Sequence, residues 1–492
     1  MCRSQGGVSL DFGYVYTALG DWTTPGEPLY LCLAVALKRA MLEGALPAGT
    51  LLPPERRMAQ ALLLSRGTVE AAYQELRSNG LVESRRGSGT TVSGTAFPSI
   101  GPREVKMAAA LGGASPVGGL TEDVADSVID LRTAYWSGND DLPEEAFTLA
   151  GPDLTRQRSS HGYHPAGIAE LRTALADRLT REGLPTDASQ ILVTSGSQQA
   201  LALIGELLIE PDDVVAVESI TNPRGVAAFR ARGADILTVP TGPDGVDVEA
   251  FVSTVHGRSP RLAHIMPGVH DTTGSILPAA SARRLAEASA RWETTVVIDD
   301  RSLSPLWLTA PPAPPLATFR PDAINLITVD SLSRWTWAGL RIGWLRASKR
   351  VVDRLARFKA YADVGCSVVD QVIALRLLAA ADQIAERRRA ALRIRRDLAA
   401  DQIHRLFPDW SWQPPTGGMC LWIQLPTRTS GELVRTAIHH NVLLLPGTAL
   451  MPGGGGNDYI RLPFGFAPEV LADGLTRLAA AWDELTSRTG RR

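Results

Sequence analysis

The sequence predicts two folded parts of different class: an N-terminal winged helix-turn-helix, then a larger α/β unit that ends in a smaller α+β lobe. Three patterns lead there. Residues 51–80 read as a short helix, a turn and a second helix, and two short strands follow around a glycine-bearing tip. Further on, apolar strands alternate with longer amphipathic helices, the pattern of a mostly parallel sheet covered on both faces. The last stretch returns to two strands, 420–425 and 459–464, and one helix, 468–486.

Composition sets the outer bounds. A chain of 492 residues exceeds what one hydrophobic core supports, so two or three domains are expected. With 45% hydrophobic and 21% charged residues it has the balance of a water-exposed globular protein. No run of about 18 apolar residues spans a membrane, and the start MCRSQGGVSLDFG has no apolar signal core, so a cytoplasmic location is expected. The four cysteines (Cys2, Cys32, Cys366, Cys420) lack metal-ligand spacing and read as reduced thiols. A net charge of −2 gives no global attraction to nucleic acid, so any DNA contact must come from a local patch.

The first part begins with residues 28–45, where Leu31, Leu33, Val35, Ala36, Met41 and Leu42 suit one buried helical face and Gly44 stops the pattern. Pro53 and Pro54 suit a first helical turn, where a missing amide donor costs nothing. Ser65 suits an N-cap ahead of a helix that buries Val69, Ala72, Tyr73 and Leu76, with Gly80 just past its end. Arg66, Gly67 and Thr68 then stand at the N-terminal end of the second helix, the end that helix-turn-helix proteins point into the major groove. Free amides and the helix dipole favour a phosphate there as well. Arg56 is placed to meet backbone phosphate, and Arg85, in the wing with Gly89, an adjacent groove. Over residues 45–95 six arginines stand against four glutamates, a modest excess that also suits a plain three-helix packing unit with a solvated face.

The runs PLY, GTLLPPERRMA and LSRGTVEAAYQELRSNGLVESRRGSGTTV resemble the GntR-type DNA-binding domain almost position for position. The resemblance implies DNA contact for Arg56, Arg66, Thr68 and Gly89. Glu70 stands where some GntR relatives have a basic residue, so their base preference does not carry over. The expected division is a DNA-binding domain over 1–94, a Gly/Pro/Ala-rich flexible linker over 95–128, and a third part over 129–492.

In the third part the expected strands are 191–194, 214–217, 236–239, 262–266, 296–298 and 324–329. The last of these runs into Asp330, Ser331, Ser333 and Arg334, which places polar side chains at the C-terminal edge of a sheet, where α/β proteins bind ligands. Ser195-Gly196-Ser197-Gln198-Gln199 joins a strand to a helix and presents amides and hydroxyls to an anion. An ordinary strand-to-helix turn explains that loop alone, but not Ser331 and Arg341 with it. Asp299 follows the strand Val296-Val297-Ile298; its alternatives are a ligand contact or a pair with Arg301 or Arg334. Trp335, Trp337 and Trp344 read as core or interface anchors.

This part resembles the fold type I aminotransferases over its whole length, and a GntR domain ahead of that fold resembles the MocR-type regulators. The resemblance implies that Gly196, Ser197, Gln198, Ser331 and Arg341 hold a cofactor phosphate, that Asp299 faces a pyridine nitrogen, and that Arg461 clamps a substrate carboxylate. Other positions depart from it. Arg301 stands where the family has a tyrosine, Asn222 where an aromatic ring stacks on the cofactor, and Asp271 where an asparagine or aromatic is usual. Arg334 stands where the family has the lysine that forms a Schiff base with pyridoxal phosphate. A guanidinium stays protonated below about pH 12 and does not form an imine.

The expectation is therefore a dimeric DNA-binding regulator, not an enzyme, whose aminotransferase-like domain senses a small anion. It would carry no covalent cofactor; a non-covalent pyridoxal or pyridoxamine phosphate is possible chemistry but not favoured. The alternatives are an aminotransferase with an appended DNA-binding domain, or a ligand-independent regulator in which Asp271, Asp299 and Asp300 neutralise Arg301 and Arg334.

Overall fold

A computed structural model of the chain describes residues 15, 19, 22, 23, 28–42, 46, 50–85, 89–93, 127–136, 142–149, 151–292 and 294–489. The chain forms two compact units, residues 1–106 and 107–492. The expected linker lies outside the described residues up to position 126, as do Cys2, Gly44 and the wing tip 86–88.

The first unit contains α1 (Leu29–Leu42), α2 (Glu55–Ala61), α3 (Arg66–Ser78), β1 (Val82–Arg85) and β2 (Gly89–Val92). Leu33, Leu37 and Met41 of α1 meet Met58 of α2 and Val69, Tyr73 and Leu76 of α3 in one core. Val35, expected in that face, is 64% exposed, because the buried stripe runs through Leu33, Leu37 and Met41 at four-residue spacing. Ser65 caps α3, its Oγ accepting from Thr68 N at 3.1 Å. Helix α2 starts one residue later than its prolines suggested, with Pro54 at the N-cap. Tyr73 donates to Pro53 O at 2.8 Å and so ties α3 to the chain ahead of α2. The wing gains a pairing that the sequence pattern misses. Leu52 N donates to Thr90 O (2.8 Å) and Val92 N to Thr50 O (2.9 Å), adding residues 50–52 beside β2.

The second unit is built on α4 (Ala169–Arg181) and then seven strands: β3 (Ile191–Thr194), β4 (Val214–Glu218), β5 (Asp235–Val239), β6 (Leu262–Ile265), β7 (Val296–Asp300), β8 (Leu326–Ser331) and β9 (Gly343–Arg346). Their spatial order is β3-β9-β8-β7-β6-β4-β5. Strands β8, β7, β6, β4 and β5 run parallel, and β9 is antiparallel to both β8 and β3. The six expected strands are present. The seventh, β9, is Gly-Trp-Leu-Arg, four fully buried residues that carry no alternation to read. Strand β8 lies two residues later than expected: Ile324 is 76% exposed, and Asp330 and Ser331 fall inside the strand.

Both faces of the sheet are covered. Val215, Val217, Ile298, Ile327 and Val329 point into one core, shared with α5 (Ser197–Leu208), α6 (Pro223–Arg230) and α7 (Lys349–Ala362). Ala216, Ala263, Val297 and Leu326 point into another, shared with helices Val248–Arg258 and Ala279–Ser289. That alternation decides below which polar side chains reach the site. The smaller lobe has an antiparallel sheet of β10 (Ser411–Trp412), β11 (Cys420–Gln424), β12 (Leu445–Pro446) and β13 (Tyr459–Pro463), in the order β10-β11-β13-β12. Helix α10 (Pro468–Thr489) packs on α8 (Ala381–Leu406) and α9 (Ser430–His439) beside it. No helix among the described residues is long and apolar enough to cross a membrane. Cys32, Cys366 and Cys420 are buried free thiols.

Candidate functional site

In the first unit, α3 places Arg66 and Gly67 on an exposed surface at its N-terminus, with Thr68 half-buried behind the Ser65 cap. Arg66 sits 3.3 Å from Glu55 of α2; its side chain is 56% exposed, so the pair contributes little and leaves the guanidinium available. Arg56 is exposed on α2. Gly89 opens β2 at φ +84°, and a Cβ there would lie 2.9 Å from the Leu51 side chain, so the wing needs a glycine for its own geometry. Arg85 pairs with Gly89 across the wing; its side chain lies outside the described residues.

In the second unit a cavity of about 360 Å³ opens at the C-terminal ends of β7 and β8 and the N-termini of α5 and α6. One end is an anion cradle. Helix α5 begins at Ser197 behind Gly196, and no side chain caps it, which leaves its first amides for an anion. Gly196 has φ +88°, and a Cβ on it would come within 3.1 Å of the Arg341 guanidinium that lies over it. Arg341 adopts a left-handed φ of +52° and donates to Ser195 O at 2.6 Å, which fixes its charge beside those amides. Ser331 and Ser333 line the same end and hold backbone groups of Ile342, the Ser331 hydroxyl donating to its carbonyl at 3.2 Å. Gln198 lines the cavity too and ties α5 to α6 by donating to Arg224 O at 2.9 Å.

Asp271 organises the centre. Its carboxylate is buried, ion-paired with Arg334, 3.8 Å from Arg461 Nη1, and accepts from Asn222 Nδ2 at 2.7 Å. Burial pushes this carboxyl up, but the Arg334 and Arg461 guanidiniums and the Asn222 hydrogen bond hold it below its usual range. Asn222 is spoken for at both ends, because its Oδ1 also caps α6 through Arg224 N at 3.0 Å. Arg461 borders a small side cavity with Asn222, Arg224 and Arg334, and its buried Nε has no hydrogen-bond partner.

Two expected site residues are corrected. Asp299 does not line the cavity: it accepts from Leu316 N at 2.7 Å on the far face of β7. Arg301 follows it there, donating to Ala313 O at 2.7 Å with its Nη1 4.0 Å from Asp299. Val297 and Ile298 point to opposite cores, so period-two alternation sends Asp299 and Arg301 one way and Asp300 and Ser302 into the cavity. Asp300 accepts from Ser302 Oγ at 2.6 Å and lies 3.3 Å from His264 Nε2, which also lines the site.

Sequence reasoning missed His264 and Ser302, and also Arg224, whose signal was its place on the first turn of a helix after a strand end. Arg224 lines the cavity, where the Asp271 carboxylate favours its charge and the neighbouring guanidiniums oppose it. Burial lowers its pKa first, and the charge of Arg334 adds to that. Among the cavity-lining residues there is no lysine and no Phe, Tyr or Trp. Trp335 and Trp344 are core residues, and Trp337 packs edge-on against Phe147.

Comparison with known proteins follows the same division. Residues 29–92 match the bacterial regulatory proteins of the gntR family. The HTH-type transcriptional regulator YisV of Bacillus subtilis is 28% identical over 89% of this chain and 93% of its own. The regulatory protein MocR of Rhizobium meliloti is 27% identical over 67% of each chain. Among solved structures, the α-aminoadipate aminotransferase LysN of Thermus thermophilus superposes with a TM-score of 0.70 at 25% identity, covering 78% of this chain and 97% of its own. Residues 128–478 match the aminotransferase class I and II family, so the chain belongs to that family, with a gntR-type helix-turn-helix domain ahead of the fold as in MocR-type regulators.

Proposed function

We propose that this protein is a DNA-binding transcriptional regulator whose larger unit dimerises and holds a small anion without covalent chemistry. The exposed N-terminus of α3, where Arg66 can exchange its solvent-exposed Glu55 pair for a phosphate or a base edge, supports the DNA role together with the regulators it resembles. Two copies would present two such helices to a repeated operator, with residues 95–128 as the tether.

The observation that carries the anion role is the cradle itself: Arg341 lies over the start of α5, which no side chain caps. The lining residues do not fit a covalently held pyridoxal phosphate. Arg334 stands where the family has its lysine and is paired with Asp271. Lys359 is fully buried and holds Asp363 at 2.5 Å, and Lys349 pairs with Asp353 at the surface. Among the described lining residues there is no Phe, Tyr or Trp to stack on a ring. We therefore read the protein as a regulator and not a transaminase.

A mobility shift with the DNA upstream of its own gene tests the first half. Binding should weaken steeply as salt rises, and Arg66→Ala should weaken it about ten-fold at fixed salt. No shift at low salt, or equal binding by wild type and Arg66→Ala, contradicts the reading.

A further inference from the structure

We propose that the cavity recognises a phosphorylated hydroxy acid, an acyclic metabolite with a phosphate at one end and a carboxylate at the other, and that Arg224 selects the carboxylate. The inference rests on the anion-site reading above and adds what fills the rest of the space.

Charge supplies the first argument. Arg224, Arg334, Arg341 and Arg461 surround the cavity and its side pocket, where Arg132 pairs with Asp130, and among the described lining residues two are carboxylates, Asp271 and Asp300. Asp271 is taken by Arg334 and Arg461, and Asp300 by Ser302 and His264. A monoanion in the α5 cradle, beside Arg341, would leave Arg224, Arg334 and Arg461 sharing the single counter-charge of Asp271. A second anionic group on the ligand offsets that excess, and a carboxylate matches the planar guanidinium fork. The unsatisfied, buried Nε of Arg461 points the same way, since a buried donor without a partner is costly unless a ligand meets it.

The lining supplies the second. The described lining offers the hydrogen-bonding groups Asn222, Asp271, Asp300, Ser302 and Ser333 beside the apolar Leu201, Met266, Val269 and Leu303, and no Phe, Tyr or Trp to sandwich a ring. Two carboxylates among them accept hydrogen bonds, which suits a chain of hydroxyl donors. They would repel a phenolate or an enolate. A volume of about 360 Å³ is at the small end for ligand cavities, in keeping with a single sugar-sized chain.

Isothermal titration of the full-length protein with inorganic phosphate, glucose 6-phosphate, 6-phosphogluconate and gluconate separates the two claims. Wild type should bind 6-phosphogluconate at least about ten-fold more tightly than glucose 6-phosphate, the size of one charge-assisted pair. Arg224→Met should remove that preference while phosphate binding stays within about two-fold, and Arg224→Lys should keep part of it. Near-ultraviolet circular dichroism identifies any variant that has failed to fold, and the wild-type comparison stands without the variants. Equal affinity of wild type for the acid and the aldose phosphate overturns this inference and leaves the anion site intact. If none of the phosphate compounds binds, or Arg341→Gln leaves their binding unchanged, the anion-site reading fails with it.

Discussion

At the scale of single residues, Asp271 carries the most consequence. Among the described residues it is the one carboxylate paired with both Arg334 and Arg461, and it is buried. Asp271→Asn keeps the shape and the Asn222 contact but leaves two guanidiniums without a counter-charge, at a cost of roughly 3 kcal/mol for a broken buried pair. Thermal denaturation should show the melting temperature falling in phosphate-free buffer and partly recovering when phosphate is added; an unchanged melting temperature would mean that the pair carries no weight. The same scale shows where sequence reading stops. Asp271, Asn222 and Arg334 were legible as members of one site because a resemblance fixed their positions. Asp299 and Arg301 were not, because adjacent aspartates offer no signal for which one faces the cavity. Only the pairing of β7 with its neighbours sets that parity.

At the scale of elements, the helix-turn-helix was legible almost entirely. Its caps, turn residues and apolar stripes are local signals, and Ser65, Gly80 and the Val69–Tyr73–Leu76 face read the same way in sequence and structure. Ser65→Ala removes the acceptor of Thr68 N and should cost about 1 kcal/mol, seen as a lower melting temperature and weaker DNA binding together. A variant whose stability and DNA affinity are both unchanged would show that the cap does not hold α3 in place. The elements that escaped are those defined by partners distant in sequence. Strand β9 exists because β3 and β8 flank it, and residues 50–52 are held only by an isolated bridge beside β2. Gly343 marks the first of these. A Cβ there would sit 2.7 Å from the Gly196 backbone, so the approach of β9 to the cradle loop demands a glycine.

At the scale of the whole molecule, buried ionisable groups make stability depend on pH. Burial pushes Glu218, whose Oε1 has no partner, up to about 8, and Asp330 likewise to about 8. Both keep a proton in the folded chain that the unfolded chain gives up near the ordinary carboxyl range. Stability is therefore lost as pH rises from that range to about 8. His270, pushed down to about 4 by burial, acts in the opposite sense and has finished doing so by about pH 6.5. The melting temperature should thus fall by a few degrees between about pH 6.5 and 8.5, and Glu218→Gln should flatten that slope. A wild-type curve that is level or rising over that range would contradict the burial of both carboxyls as neutral groups.

The central claim is that a chain built on an aminotransferase core binds anions in that core without its amine chemistry. Absorbance of the full-length protein mixed with equimolar pyridoxal phosphate, followed by borohydride and desalting, tests it most directly. The account predicts no imine band and no pyridoxyl group retained after reduction. An imine band abolished by borohydride, with one pyridoxyl group per chain on a lysine of the second unit, would contradict it.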